Sequence, residues 1–170
     1  MIDVASFIAW ANQTIVVFGY FGIIIVAFVS SVSVVLPTFP LSAIVVFAVA
    51  MKMHPIIIAI CAGFGSATGE LTGYLIGMGG KKTILKKYKN KIQKLEKMFE
   101  KYRGGVVIFF FSFLPIVPID VMGVFAGTVG YGVKKFYIAC LAGKICRYLL
   151  IVTMTYYGIG VASSYFGFIF

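Results

Sequence analysis

Four ionisable residues stand where an apolar sequence should exclude them. Glu70 sits inside Gly65-Ser-Ala-Thr-Gly-Glu-Leu-Thr-Gly-Tyr74, and Asp120 follows the broken run Pro115-Ile-Val-Pro118. Lys144 and Arg147 lie three apart in a later apolar stretch, a spacing that puts them on one helical face. Charges in lipid are costly, so such residues face a protein interior or water and pair with one another. Two of each sign suggest one polar cluster. A carboxylate kept from water can carry a proton, which makes Glu70 and Asp120 the transport and proton-coupling candidates. Lys144 and Arg147 can hold a phosphate through charge-assisted hydrogen bonds, which makes them the headgroup-binding candidates. The plainer alternative is structural. Glu70 would then neutralise Lys144 or Arg147, Asp120 would cap a half-helix, and Lys144 would snorkel towards the basic end. Thr68, Thr72, Ser112 and Thr128 could add hydroxyls to a cavity or merely satisfy helix carbonyls.

The chain that must position these groups has 170 residues, 61% of them hydrophobic and 12% charged. Its mean hydropathy is +1.05. A water-soluble domain is about 45–50% apolar and about 25% charged. A chain of this length has too little interior to bury the surplus. That excludes an ordinary soluble enzyme, a disulfide scaffold and a disordered chain, and leaves a membrane protein. There is no G-x-S-x-G, no glycine-rich phosphate loop and no His/Cys metal spacing, so no enzyme, cofactor or metal site is expected. His54 is the sole histidine. Cys61, Cys140 and Cys146 sit in apolar runs and read as packing residues. No Lys or Arg precedes Lys52, so the basic n-region of a cleavable signal peptide is lacking.

Charge is concentrated in one block. Residues 81–103 hold ten of the fifteen Lys and Arg against two of the five acids. A nucleic-acid partner is not expected, because the block is wedged between membrane-length apolar segments. The positive-inside rule makes it cytoplasmic. Ile84, Tyr88, Ile92, Leu95, Phe99 and Tyr102 recur at spacings of three and four, one stripe of a helix. Lys81, Lys82, Lys86, Lys87, Lys94 and Arg103 surround it. Such a basic amphipathic helix would lie on anionic lipid. The same residues would serve a simple topology-setting loop.

Residues 13–36, 56–79 and 136–160 are each long enough to span, since a crossing helix needs roughly 20 residues. The run 41–51 is too short, bounded by the Pro37/Pro40 break and by Lys52, His54 and Pro55. Segment 104–133 is broken at Pro115 and Pro118 and has basic residues at both ends. Length allows one span or a hairpin, and the charges favour a hairpin that enters and leaves on one side. The two halves, 1–80 and 104–160, then look like an inverted repeat within a single domain, 1–170. Unrelated loop breakers would give the same two Pro-x-x-Pro pairs. The expected fold is an all-α integral membrane protein of about three transmembrane helices. Two opposed, proline-broken re-entrant hairpins and the basic interfacial helix complete it.

The run Gly65 to Gly77, followed by Gly79-Gly80, resembles the glycine-rich span of the DedA superfamily, with its acidic residue and closing Gly-Tyr-x-x-Gly. Phe113-Leu-Pro115-Ile-Val-Pro118-Ile-Asp120, then Ala126-Gly127 and Phe136, resembles the second signature of that superfamily. Pro-x-x-Pro followed by a polar residue is closest to the VTT branch, the SNARE-associated domain. The resemblance covers roughly residues 30–160. It implies two opposed re-entrant hairpins and movement of lipids between leaflets: polyprenyl phosphates in bacteria, glycerophospholipids in eukaryotes. Dependence on the proton-motive force is proposed for some members. The chain departs from the family in three places. Ser112 and Pro118 stand where many members carry arginine, and Pro40-Leu41-Ser42 lacks the acidic residues of the first hairpin. The family's anion-binding and protonation chemistry therefore does not transfer whole, and Lys144 and Arg147 are candidate substitutes.

The expectation is a multi-pass plasma-membrane flippase or scramblase-like transporter of a phosphate-headgroup lipid. Its partners would be anionic membrane lipids, with a homo-oligomer left open. Two alternatives stand beside it: a proton-coupled small-solute or ion transporter using Glu70 and Asp120, and a non-transporting membrane assembly factor.

Overall fold

Proline and glycine set where the helices of this chain start and stop. The computed structural model describes residues 4–32, 39–80, 99, 103–114 and 119–166. Among these residues there are seven helices and no strand. They are α1 (Val4–Phe18), α2 (Tyr20–Val32), α3 (Phe39–Ala50), α4 (Pro55–Gly79), α5 (Gly104–Phe113), α6 (Ile119–Val129) and α7 (Val133–Phe166). Gly19 separates α1 from α2 with φ +57°, a backbone that side chains with a Cβ rarely adopt. The first expected span, 13–36, is therefore not one helix. Its described residues divide between α1 and α2, of 15 and 13 residues, each shorter than the roughly 20 a crossing helix needs. Pro55 opens α4 at its first turn, where the missing N–H has no intrahelical partner to lose.

Among the described residues, two helices are long and apolar enough to cross a membrane: Pro55–Gly79, and Val133–Gly158 within α7. They match the expected spans 56–79 and 136–160. They run antiparallel, as three contacts along them fix. A Cβ on Gly63 would lie 2.7 Å from Ile145 Cγ1. Glu70 meets Lys144, and the Tyr74 and Phe136 rings sit 5.3 Å apart.

Two helix pairs pack on this core from opposite ends. α2 runs in the direction of α4, close enough that a Cβ on Gly65 would strike the Ile24 carbonyl. Ser31, near the far end of α2, hydrogen-bonds Ser66 at 2.7 Å. α3 then comes back, so that Tyr20 and Ala50 line one cleft beside His54. The second pair starts from the other end, where Gly104 lies against the Tyr131 ring. α5 runs inward until Ser112 lies beside Gly143. α6 returns along α4, with Thr128 donating to the Gly77 carbonyl at 3.2 Å. The Tyr74 hydroxyl donates to the Tyr131 carbonyl at 2.6 Å and ties this end shut.

Several expected features lie outside the described residues. Pro37, Pro115 and Pro118 are among them, although α3 begins and α5 ends beside those breaks. Pro40 falls in the first turn of α3. Of the basic block, Lys81, Lys82, Lys86, Lys87 and Lys94 lie outside, while Phe99 and Arg103 are described. Phe99 packs edge-on against Phe125 and Tyr131, at centroid distances of 5.0 and 5.4 Å. Arg103 is exposed just before α5.

Candidate functional site

Ser66 and Glu70 are four apart on α4, and Cys140, Lys144 and Tyr148 are four apart on α7. Helical periodicity therefore puts each set on one face, and the antiparallel packing brings the two faces together. Lys144 is the centre, only 3% exposed, with Nζ 2.7 Å from Glu70 Oε1. It also donates to the Ser66 carbonyl at 3.0 Å and to the Ser66 hydroxyl. The three ammonium protons thus have three acceptors within the protein. Lys144 does not snorkel.

Ser66 links the pair to its surroundings. Its hydroxyl accepts from Lys144 and, at 3.4 Å, from the Tyr148 hydroxyl. With both lone pairs engaged, its own proton goes to Ser31. The Cys140 thiol lies 3.9 Å from Glu70 Oε2. The small residues around Ser66 make this network possible, because helices approach closely in lipid only where side chains are small.

Arg147 sits three residues beyond Lys144 and is 8% exposed. Its Nε is buried and has no hydrogen-bond partner among the described residues. The guanidinium carbon lies 6.0 Å from the centroid of the Tyr148 ring, a loose cation–π contact. A buried donor left unsatisfied costs about 1–3 kcal/mol, and more when charged. The arrangement can recover that cost by hydrogen-bonding an anion.

The structure thus brings Glu70 and Lys144 together and holds Arg147 just under one turn further along α7. The backbone of Asp120 lies in the first turn of α6, and its side chain is outside the described set. Gly123, one turn on, packs near the Glu70 carbonyl. The threonines take the backbone-satisfying role: Thr68 donates to Phe64, Thr72 to Gly69 and Thr128 to Val124. Ser112 is buried, and the three cysteines are free. Ser66, Tyr148 and Ser31 were not singled out as polar partners in the sequence. The available signal was the four-residue spacing of Ser66 from Glu70 and of Tyr148 from Lys144.

A family model for the VTT domain matches residues 36–157, from three residues before α3 through most of α7. The chain belongs to the VTT domain family, which is membrane-associated. α1 and α2 precede the matched region. Comparison with curated proteins and with solved structures returned no match.

Proposed function

We propose that this VTT-family membrane protein moves a lipid with a phosphate headgroup between leaflets, as a flippase or scramblase-like transporter. The observation that carries the reading is Arg147, a nearly buried guanidinium whose Nε lacks a partner among the described residues. In this reading the pairs α2–α3 and α5–α6 are re-entrant hairpins that enter from opposite faces. The ten residues of α5 reach about 15 Å, half of the hydrocarbon core. Irregular backbone at that depth must be buried in protein or line a wet cavity. The headgroup passes along such a cavity while the acyl chains stay in lipid. Arg147 offers the planar fork that suits a phosphate. Glu70 acts as counter-charge to Lys144, not as a proton carrier. The basic block 81–103 faces the cytoplasm, as the positive-inside rule places it.

The test is reconstitution in liposomes with fluorescent lipids of anionic and zwitterionic phosphate headgroups. Wild-type protein should accelerate translocation. Arg147→Gln should slow it about tenfold or more, the equivalent of one charge-assisted hydrogen bond, and Arg147→Lys should keep part of the rate. Translocation no faster than in protein-free vesicles, across the lipid panel, refutes the proposal.

A further inference from the structure

A second polar site lies at the end of the molecule away from Arg103, Lys134 and Lys135. There a cleft of about 730 Å³ opens between α2, the α3–α4 turn and the distal part of α7. That size is ordinary for a small-ligand site, which takes about 300–1,000 Å³. Its polar lining is Tyr20, Lys52, His54 and Tyr156. Lys52 is the only Lys or Arg in the first 80 residues, and His54 is the only histidine of the chain. No carboxylate is present among the described residues that line the cleft.

Three details fit this lining to an anion. Lys52 holds φ +58°, a left-handed backbone that costs a residue with a Cβ about 1–2 kcal/mol. A lysine stands where glycine would be unstrained, as an arginine does at Arg103, and strain of this kind gathers at functional sites. The Tyr20 hydroxyl accepts the His54 backbone N–H at 2.8 Å, so its own proton remains to be donated. Finally, α4 begins here, with Pro55 in its first turn and no side-chain cap from His54. The positive end of a 25-residue helix therefore faces the same region.

We infer that this cleft binds a phosphate group through Lys52, His54 and the Tyr20 hydroxyl. The same chemistry serves a lipid headgroup at the membrane surface or free inorganic phosphate. Tyr156 is nine residues beyond Arg147, about 14 Å along the helix axis. The cleft is thus a separate site, and its binding does not depend on lipid translocation.

The sole histidine makes the test direct, because its ring proton resonance needs no assignment. The full-length protein is placed in phosphatidylcholine nanodiscs at one fixed pH and titrated with inorganic phosphate. A parallel arm incorporates increasing phosphatidic acid. A saturable shift of the His54 signal is expected in at least one arm. A shift with inorganic phosphate assigns the free anion, and a shift with phosphatidic acid alone assigns the headgroup. Lys52→Gly removes the cation at a position glycine prefers, so the fold survives while apparent affinity falls about tenfold. Arg147→Gln should leave the titration unchanged. Absence of a saturable shift in both arms overturns the inference. So does a titration that Lys52→Gly leaves intact or that Arg147→Gln abolishes.

Discussion

Breaking the Glu70–Lys144 pair from one side should cost far more than removing both charges. The groups are 2.7 Å apart, with side chains 6% and 3% exposed. At an effective dielectric of about 20, unit charges at that separation attract by ~6 kcal/mol. Against this stands the desolvation of two ions, several kcal/mol each. The intact pair is therefore close to neutral overall, whereas removing one charge leaves the other its desolvation cost without this attraction. Lys144→Met retains an unbranched apolar stem but strips Glu70 of this cation and Ser66 of its donor. The expected loss is about 3–5 kcal/mol. Adding Glu70→Gln removes the opposing charge as well and should restore roughly half or more of it. Wild type, both single variants and the double variant form a cycle, read by equilibrium unfolding in mixed micelles. If the two substitutions add to within about 0.5 kcal/mol, the pair is not coupled and the reasoning fails. A Lys144→Met variant as stable as wild type would refute it equally.

Other outcomes follow from the packing. Gly77→Ala directs a Cβ at the Val124 carbonyl. It should destabilise by about 1–3 kcal/mol in thermal unfolding, despite alanine's helix preference of about 1 kcal/mol. Tyr74→Phe deletes the 2.6 Å bond to the Tyr131 carbonyl and should cost about 1 kcal/mol. Faster amide exchange around Gly130 would locate the loss at the α6–α7 turn. With the three native cysteines replaced by alanine, cysteines at Gly105 and Val133 should react with an impermeant maleimide from one side of the membrane. A cysteine at His54 should react from the other. Labelling of Gly105 and Val133 from opposite sides would end the re-entrant reading of α5–α6.

α4 and α7 were legible because a long apolar run with few charges has little choice but a crossing helix. The ends of α4 were legible too, at Pro55 and at Gly79-Gly80, whereas α7 runs on to Phe166, past the end expected at residue 160. The intramembrane ion pair was legible as a necessity, but its membership was not. Lys144 and Arg147 differ by less than one helical turn, and the choice between them depends on the register of α4 against α7. That register comes from Gly63 under Ile145 and Tyr74 on Phe136, contacts 82 and 62 residues apart in sequence. The break at Gly19 was hidden for a different reason. An isolated glycine in an apolar run reads as a packing residue, and only the backbone shows its positive φ. Lys52 and His54 read as helix terminators, and nothing local revealed that Tyr20 and Tyr156 would close a cleft around them.

The glycines and the ion pair make sense only together. Gly65 and Gly69 bring the α2 backbone against α4, and Ser66 lies between them on the sequence. That approach is what lets Ser31 reach Ser66, and Ser66 in turn holds Lys144. On the other side, Gly143 admits Ser112 against the α7 backbone, one residue before Lys144. The end of α2 therefore reaches Lys144 through Ser66, and the end of α5, arriving from the opposite end of the molecule, packs on α7 at Gly143, the residue before it. An apolar seam would hold these helices as tightly, but it would tolerate sliding along the axis. A buried pair that loses several kcal/mol when misaligned does not. The pair fixes the depth at which the end of α2 meets α4 and α7, and beside it lies Arg147, whose buried Nε has no partner among the described residues. If positioning is the role of the pair, lipid translocation should survive its joint neutralisation in Glu70→Gln/Lys144→Met better than the loss of Arg147 alone. The reverse order of rates would make the pair itself the transport chemistry.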